Sequence, residues 1–216
     1  MDNHEFDPET SCQDSGSEAK LQESGKNTAR NERHDSLVYL HDLVYILITV
    51  LLIALLLFKI IVVSGPSMNS TLADGDVLIL LNNTLYHQIK HGDIVVVSKK
   101  AFKDGEPIIK RVIATEGQQV DIDFNSGVVY VDGIEIDEPY VNTPTNLDEG
   151  TIFPLTVQEG CIFVMGDNRN QSKDSRSMDI GQIDKREVLG KALFRVFPGT
   201  DPTDHSRHFD RIVVLS

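Results

Sequence analysis

The sequence predicts a mainly β protein, an antiparallel β-domain carried behind one transmembrane helix, and three observations predict it. A single apolar run, Leu43 to Val63, is long enough to cross a bilayer. After it, apolar residues come only in short runs rich in Val and Ile and bounded by Gly, Asp or Asn, which is the pattern of strands. Before it, residues 1–42 carry 10 acidic and 4 basic side chains among many Ser, Asn and Gln, a composition that cannot bury enough apolar surface to offset chain entropy.

Taken in order, residues 1–42 read as a disordered tail, in which only Leu37 to Leu40 is apolar enough to begin a helix. The 21 residues 43–63, LVYILITVLLIALLLFKIIVV, depart from plainly apolar character only at Thr49 and Lys59. At about 1.5 Å per residue they span roughly 31 Å, matching a hydrocarbon core of ~30 Å. A cleaved export signal has a shorter apolar core and starts nearer the N-terminus. A buried helix of a soluble protein rarely runs so far without a polar face. Lys59, near the end, can snorkel to the headgroups. Lys26, Arg30 and Arg33 precede the run, whereas Ser64 to Asn83 contains no Lys or Arg. The tail is therefore expected in the cytoplasm and residues 64–216 outside, in a single-pass protein of the cell membrane.

Residues 64–216 suffice for one core. Strands are expected at DVLILL, DIVVVS, IIKRVIAT, QVDID, GVVYVDG, CIFVMG, KALFRVF and RIVVLS, with long irregular connections at 137–155 and 199–208. A net charge of −13, with cations scattered among acids, argues against a nucleic-acid partner. Cys12 and Cys161 form neither a disulfide framework nor a zinc spacing. The pairs His87/His91 and His205/His208 lack an accompanying carboxylate in a metal motif, so no metal or other cofactor is expected.

Three segments can carry chemistry. Ser67 sits in Ser64-Gly65-Pro66-Ser67-Met68, a turn directly after the apolar run, and by itself it is a turn residue or helix cap. Lys110 lies where strand alternation puts Ile108, Lys110, Val112 and Ala114 on one face and Ile109, Arg111 and Ile113 on the other, so one of the two cations shares a face with the core. Burial disfavours an ammonium and can lower a lysine pKa from ~10.4 by as much as about 3–5 units, which makes a usable general base. The alternative is an edge strand whose Lys and Arg both reach water. The third segment, Gly166 to Arg176, is a polar stretch after the strand CIFVM in which Asp174 and Arg176 can pair.

Together, SGPSMNSTL, GDIVVV at 92–97, KRVI at 110–113 and GDNRNQSKDSR resemble, in the same order, the signature boxes of the type I signal peptidases (bacterial leader peptidases). Those are membrane-anchored serine proteases that remove signal peptides from exported proteins. The resemblance takes in EPYVN at 138–142 and GKALFRVFP at 190–198, and the single span without a large inserted subdomain is similar to the shorter, Gram-positive form. It implies a catalytic domain of the signal-peptidase type, with Ser67 as nucleophile and Lys110 as general base, a dyad that needs no His or Asp. It further implies that Ser172 hydrogen-bonds the lysine and that Asp174 and Arg176 brace this shell. The implied substrate is an exported preprotein ending its signal in a small-x-small pattern such as Ala-x-Ala, docked as an added strand. Met68, Leu72, Ile108 and Ile109 match positions lining the shallow pockets for those small side chains, and the lipid bilayer is the other partner.

By the same resemblance the Ser67 N–H is one oxyanion donor, while Gly65, two residues earlier, has no hydroxyl to supply a second. Ser70 and Glu116 stand where the family usually has proline, which bears on loop rigidity more than on the reacting groups. Self-cleaving repressors use the same Ser-Lys class but are soluble and carry a DNA-binding domain. An inactive membrane-anchored β-domain that binds exported segments as a scaffold would have no reason to keep Ser67, Lys110 and Ser172 together.

Overall fold

The computed structural model describes residues 38–69, 71–84, 86, 88–100, 102, 105–199 and 213–215. Most of the polar tail, Ser70, His87, His205, His208 and nearly all of the 199–208 connection lie outside them. Helix α1, Val38–Leu57, has 20 residues and is apolar and long enough to cross a membrane. Its limits differ from 43–63 at both ends. It takes in Val38 to Asp42 from the stretch read as tail, and it stops before Phe58-Lys59-Ile60-Ile61-Val62, which form strand β1 (Phe58–Val62). Aromatic and β-branched residues suit a strand as well as an apolar helix, and here a partner decides. Strand β2 (Val77–Asn82) pairs antiparallel with β1 from Phe58↔Leu81 to Val62↔Val77. The Asn82 amide also donates to the Leu56 carbonyl at 3.2 Å, one of the helix-terminal carbonyls that lack an intrahelical donor.

The chain continues through β3 (Ile94–Val97) and β4 (Ile108–Thr115) into a small sheet of β5 (Gln119–Asp123), β6 (Val128–Val131), β7 (Ile134–Glu135) and β8 (Leu155–Thr156). It then returns for β9 (Cys161–Met165), β10 (Ile183–Asp184), β11 (Val188–Phe197) and β12 (Val213–Val214). The larger sheet has the order β1-β2-β11-β3-β4-β9-β10, with β12 also on β11, and the smaller β7-β6-β5-β8. All pairings are antiparallel.

β4 is an interior strand, between β3 and β9, and this corrects the reading of its two cations. Lys110 and Arg111 are both buried, at 3% and 6% exposure, because apolar clusters cover both faces of the strand. Ile109 packs with Val63, Met68 and Leu72, whereas Val112 packs with Val95, Val97 and Val164. A register shift against β9 between Val112 and Ala114 breaks the alternation, so Ile113 and Ala114 enter one cluster instead of opposite faces.

The turn after β4 has Glu116 where the resemblance implies a proline, and side chains hold it. Glu116 accepts from the Gly160 N–H at 2.7 Å and pairs with Lys185 at 2.8 Å. Lys185, and then the Gly160 bond, hold its carboxyl below the ordinary glutamate range. Gln118 accepts from the Thr115 N–H at 2.9 Å. On the larger sheet, register aligns Ile60, Ile79, Phe194 and Val214 in one row and Val62, Val77 and Phe197 in the next. Ile60, Val62, Phe194, Phe197 and Val214 of these rows are exposed, an apolar sheet face.

Candidate active site

β4 carries Lys110 into the sheet interior, and the turn beyond β1 brings Ser67 to it. Gly65, at φ +87°, allows that turn, and its N–H donates to Asp74 Oδ1 at 2.8 Å. The Met68 carbonyl then accepts from Thr71 N at 3.1 Å and Leu72 N at 2.8 Å, closing a single helical turn. As a result Lys110 Nζ lies 2.8 Å from Ser67 Oγ and 3.0 Å from the Ile109 carbonyl. A neutral amine can donate to that carbonyl and still offer its lone pair to the hydroxyl.

Behind the pair, Asp174 organises the polar loop. Its Oδ2 accepts from Ser172 Oγ, Gly166 N and Arg176 Nη2, each at 2.9 Å, and its Oδ1 accepts from Arg176 Nε at 2.9 Å. Asp174 and Arg176 are both fully buried. Burial works against the Arg176 charge, but the Asp174 bonds and the charges of Asp174 and Glu149 outweigh it and hold the guanidinium above its ordinary pKa. Ser172 and Ser67 converge on Gly166, where a Cβ would fall 2.2 Å from Ser172 Oγ and 2.5 Å from the Ser67 carbonyl oxygen. Only glycine fits.

Further residues of the site were missed in the sequence. Arg111 donates to Asp167 through Nε at 2.9 Å and Nη2 at 2.7 Å, and its guanidinium lies 3.9 Å from the Tyr140 ring centroid. Asp167 also accepts from Thr71, tying the nucleophile turn to this pair. Arg169 pairs with Glu138 and donates to Thr145 at 2.9 Å. Burial and then the Glu138 charge push the Tyr140 hydroxyl up. The signal was present in KRVI, GDNR and EPYVN, but nothing in one dimension says which charge meets which.

An open cleft of about 300 Å3 lies over the dyad, between Ile61–Met68 and Pro107–Lys110, with Gln171 and Lys173 also in its lining. Met68, Ile108 and Ile109 line it, whereas Leu72 packs in the core with Met68 and Ile109. No group of three or more His, Cys, Asp or Glu able to hold a metal occurs among the described residues. His91 instead hydrogen-bonds the Ile113 carbonyl through Nδ1 at 2.8 Å.

The family model described as signal peptidase, peptidase S26, matches residues 36–197. This chain belongs to that family. Signal peptidase I of Bacillus licheniformis is 33% identical over 180 residues, 78% of this chain and 92% of the relative. Signal peptidase I T of Bacillus subtilis is 33% identical over 189 residues, 82% and 95% of the two chains. A crystal structure of a signal peptidase I from Enterococcus faecalis matches with a TM-score of 0.40 and 28% identity, over 49% of this chain and 97% of that one. Peptidase S26 membership makes the chain a serine peptidase of the signal peptidase family, and its fold is mainly antiparallel β.

Proposed function

We propose that this peptidase cleaves signal peptides from exported preproteins with a Ser67–Lys110 dyad, after a small-x-small segment. The observation that carries the reading is the 2.8 Å approach of Lys110 Nζ to Ser67 Oγ at the floor of the cleft. Neutral Lys110 takes the Ser67 hydroxyl proton as the oxygen attacks the scissile carbonyl, and returns it to the leaving amine. Water, deprotonated by the same lysine, then hydrolyses the acyl-enzyme. The Ser67 N–H stabilises the oxyanion in both steps. Because Ser172 spends its single proton on Asp174, its oxygen has only lone pairs to present to the lysine, and Arg176 keeps Asp174 in the orientation that ensures this. Met68, Ile108 and Ile109 wall the pockets for small side chains, and Leu72 backs them. The test is to incubate the purified protein with a preprotein in detergent and identify the cut bond by mass spectrometry. One cut directly after a small-x-small motif is expected. An intact preprotein, or a cut elsewhere, would reject the reading.

In the cell, α1 anchors the enzyme with the residues before it in the cytoplasm and the β-domain outside, as the cations before the helix favour. The exposed apolar face of β1, β11 and β12 suits a domain that works against lipid. Protease added outside intact cells is expected to spare the tail and to reach the exposed stretch Asn142–Pro144. Cleavage confined to the tail would invert the topology.

A further inference from the structure

We propose that Asn168 is a positioning residue that aims the Ser67 N–H at the oxyanion, an inference that rests on the dyad reading above. Asn168 occupies the N-cap of the short 3-10 turn Arg169–Gln171, where an Asn side chain ordinarily accepts from its own helix. It makes no such cap bond. Its Nδ2 reaches instead to the Pro66 carbonyl at 3.0 Å, while its backbone N–H donates to the Ser67 carbonyl at 3.1 Å. A carbonyl only accepts, so the amide presents its NH2 end to Pro66.

The consequence follows from peptide geometry. The Pro66–Ser67 bond is trans, and in a planar trans peptide the C=O and N–H point in opposite directions. The Pro66 carbonyl also accepts from the Asn69 N–H at 3.0 Å within its own turn, and the bond from Asn168 adds a hold from the facing loop that keeps the Ser67 N–H turned away from that loop. That N–H meets no acceptor among the described residues, and Pro66 and Ser67 both line the cleft. It is a donor left for the developing oxyanion. The second bond fixes the next peptide, so both planes flanking the nucleophile are held. Asn168 is itself steadied by Gln171, whose N–H donates to the Asn168 carbonyl at 3.0 Å. With no hydroxyl at Gly65, more of the oxyanion stabilisation rests on this one N–H.

Asn168→Ala removes the amide and Asn168→Asp keeps its shape while setting a carboxylate oxygen against the Pro66 carbonyl. The expected result is a kcat lower by about 10- to 100-fold for Ala and by more for Asp, with KM little changed. A peptide aldehyde, whose hemiacetal oxygen takes the oxyanion position, should lose affinity in parallel, while the cleaved product peptide binds as to wild type. Wild-type kcat in both variants, with Ser67→Ala inactive, would overturn the positioning role and leave the dyad standing. Parallel losses of kcat, product affinity and melting temperature would also overturn it, since they mark a merely structural residue. A wild-type protein that cleaves no preprotein would remove the dyad reading and this inference with it.

Discussion

Ser67→Ala and Lys110→Ala are each expected to lower preprotein cleavage by about 10^4-fold or more, and the double variant to lose no more than either single one. The two side chains act as one unit across 2.8 Å: a serine without its base is a weak nucleophile, and the base without its serine has nothing to deprotonate. Alanine at 110 also leaves a void in the core, so Lys110→Met is the cleaner partner variant. It fills a similar volume at a buried position without an amine, and should be equally inactive yet at least as stable as wild type in thermal melts. Near-wild-type turnover in either alanine variant, measured on a peptide containing Ala-x-Ala, would break the dyad. A Lys110→Met protein that melts far below wild type would instead show that the amine is needed for folding.

How much of this was legible depended on whether the deciding physics is local. IIKRVIAT is bracketed by Pro107 and a glycine turn and is rich in β-branched residues, and β4 coincides with it at Ile108–Thr115. β1 was hidden because hydropathy is the same for an apolar helix and an apolar strand, and only the partner β2 separates Phe58–Val62 from the span. Three of the four two-residue strands among the described residues, β7, β8 and β10, are too short to have a period and went unread. Ser67, Lys110, Ser172, Asp174 and Arg176 were read from motifs, and the fold brings them together through Gly166 and Asp174. The Arg111–Asp167 and Arg169–Glu138 pairs were not: Arg111 looks like any strand neighbour until sheet order shows that both faces of β4 are covered, and Arg169 meets Glu138 only when two connections far apart in sequence come together. Leu72 matches a pocket position by motif, yet its N–H bond to the Met68 carbonyl curls it back into the core, one layer behind the cleft.

Asp174→Ala is expected to destabilise the β-domain by about 3–5 kcal/mol, the cost of leaving a buried guanidinium without its carboxylate. Arg176 is fully buried, and because a guanidinium does not deprotonate inside a protein it stays charged when Asp174 is removed. The same change strands the Ser172 hydroxyl and the Gly166 N–H, so activity should fall even in molecules that remain folded. At roughly 2–4 °C per kcal/mol for a domain of this size, the melting temperature should drop by about 6–20 °C. Glu149 supplies a contrast of opposite sign. Among the described residues its Oε2 is buried without a hydrogen bond, and burial, then the Asp174 charge, push its carboxyl pKa up. Because the native value is raised, the folded protein binds this proton more readily than the unfolded chain does. The ionised form therefore costs stability above the native pKa, and the cost vanishes below the unfolded one. Glu149→Gln should melt no lower than wild type at neutral pH, and any advantage should close as the solution is acidified through the ordinary glutamate range. Two carboxylates from different connections would then have opposite effects, because one is paired with a guanidinium and the other is held up first by burial and then by the charge of the first. An Asp174→Ala protein that melts with wild type, or a Glu149→Gln protein as unstable as Asp174→Ala, would show that Asp174 does not organise this loop.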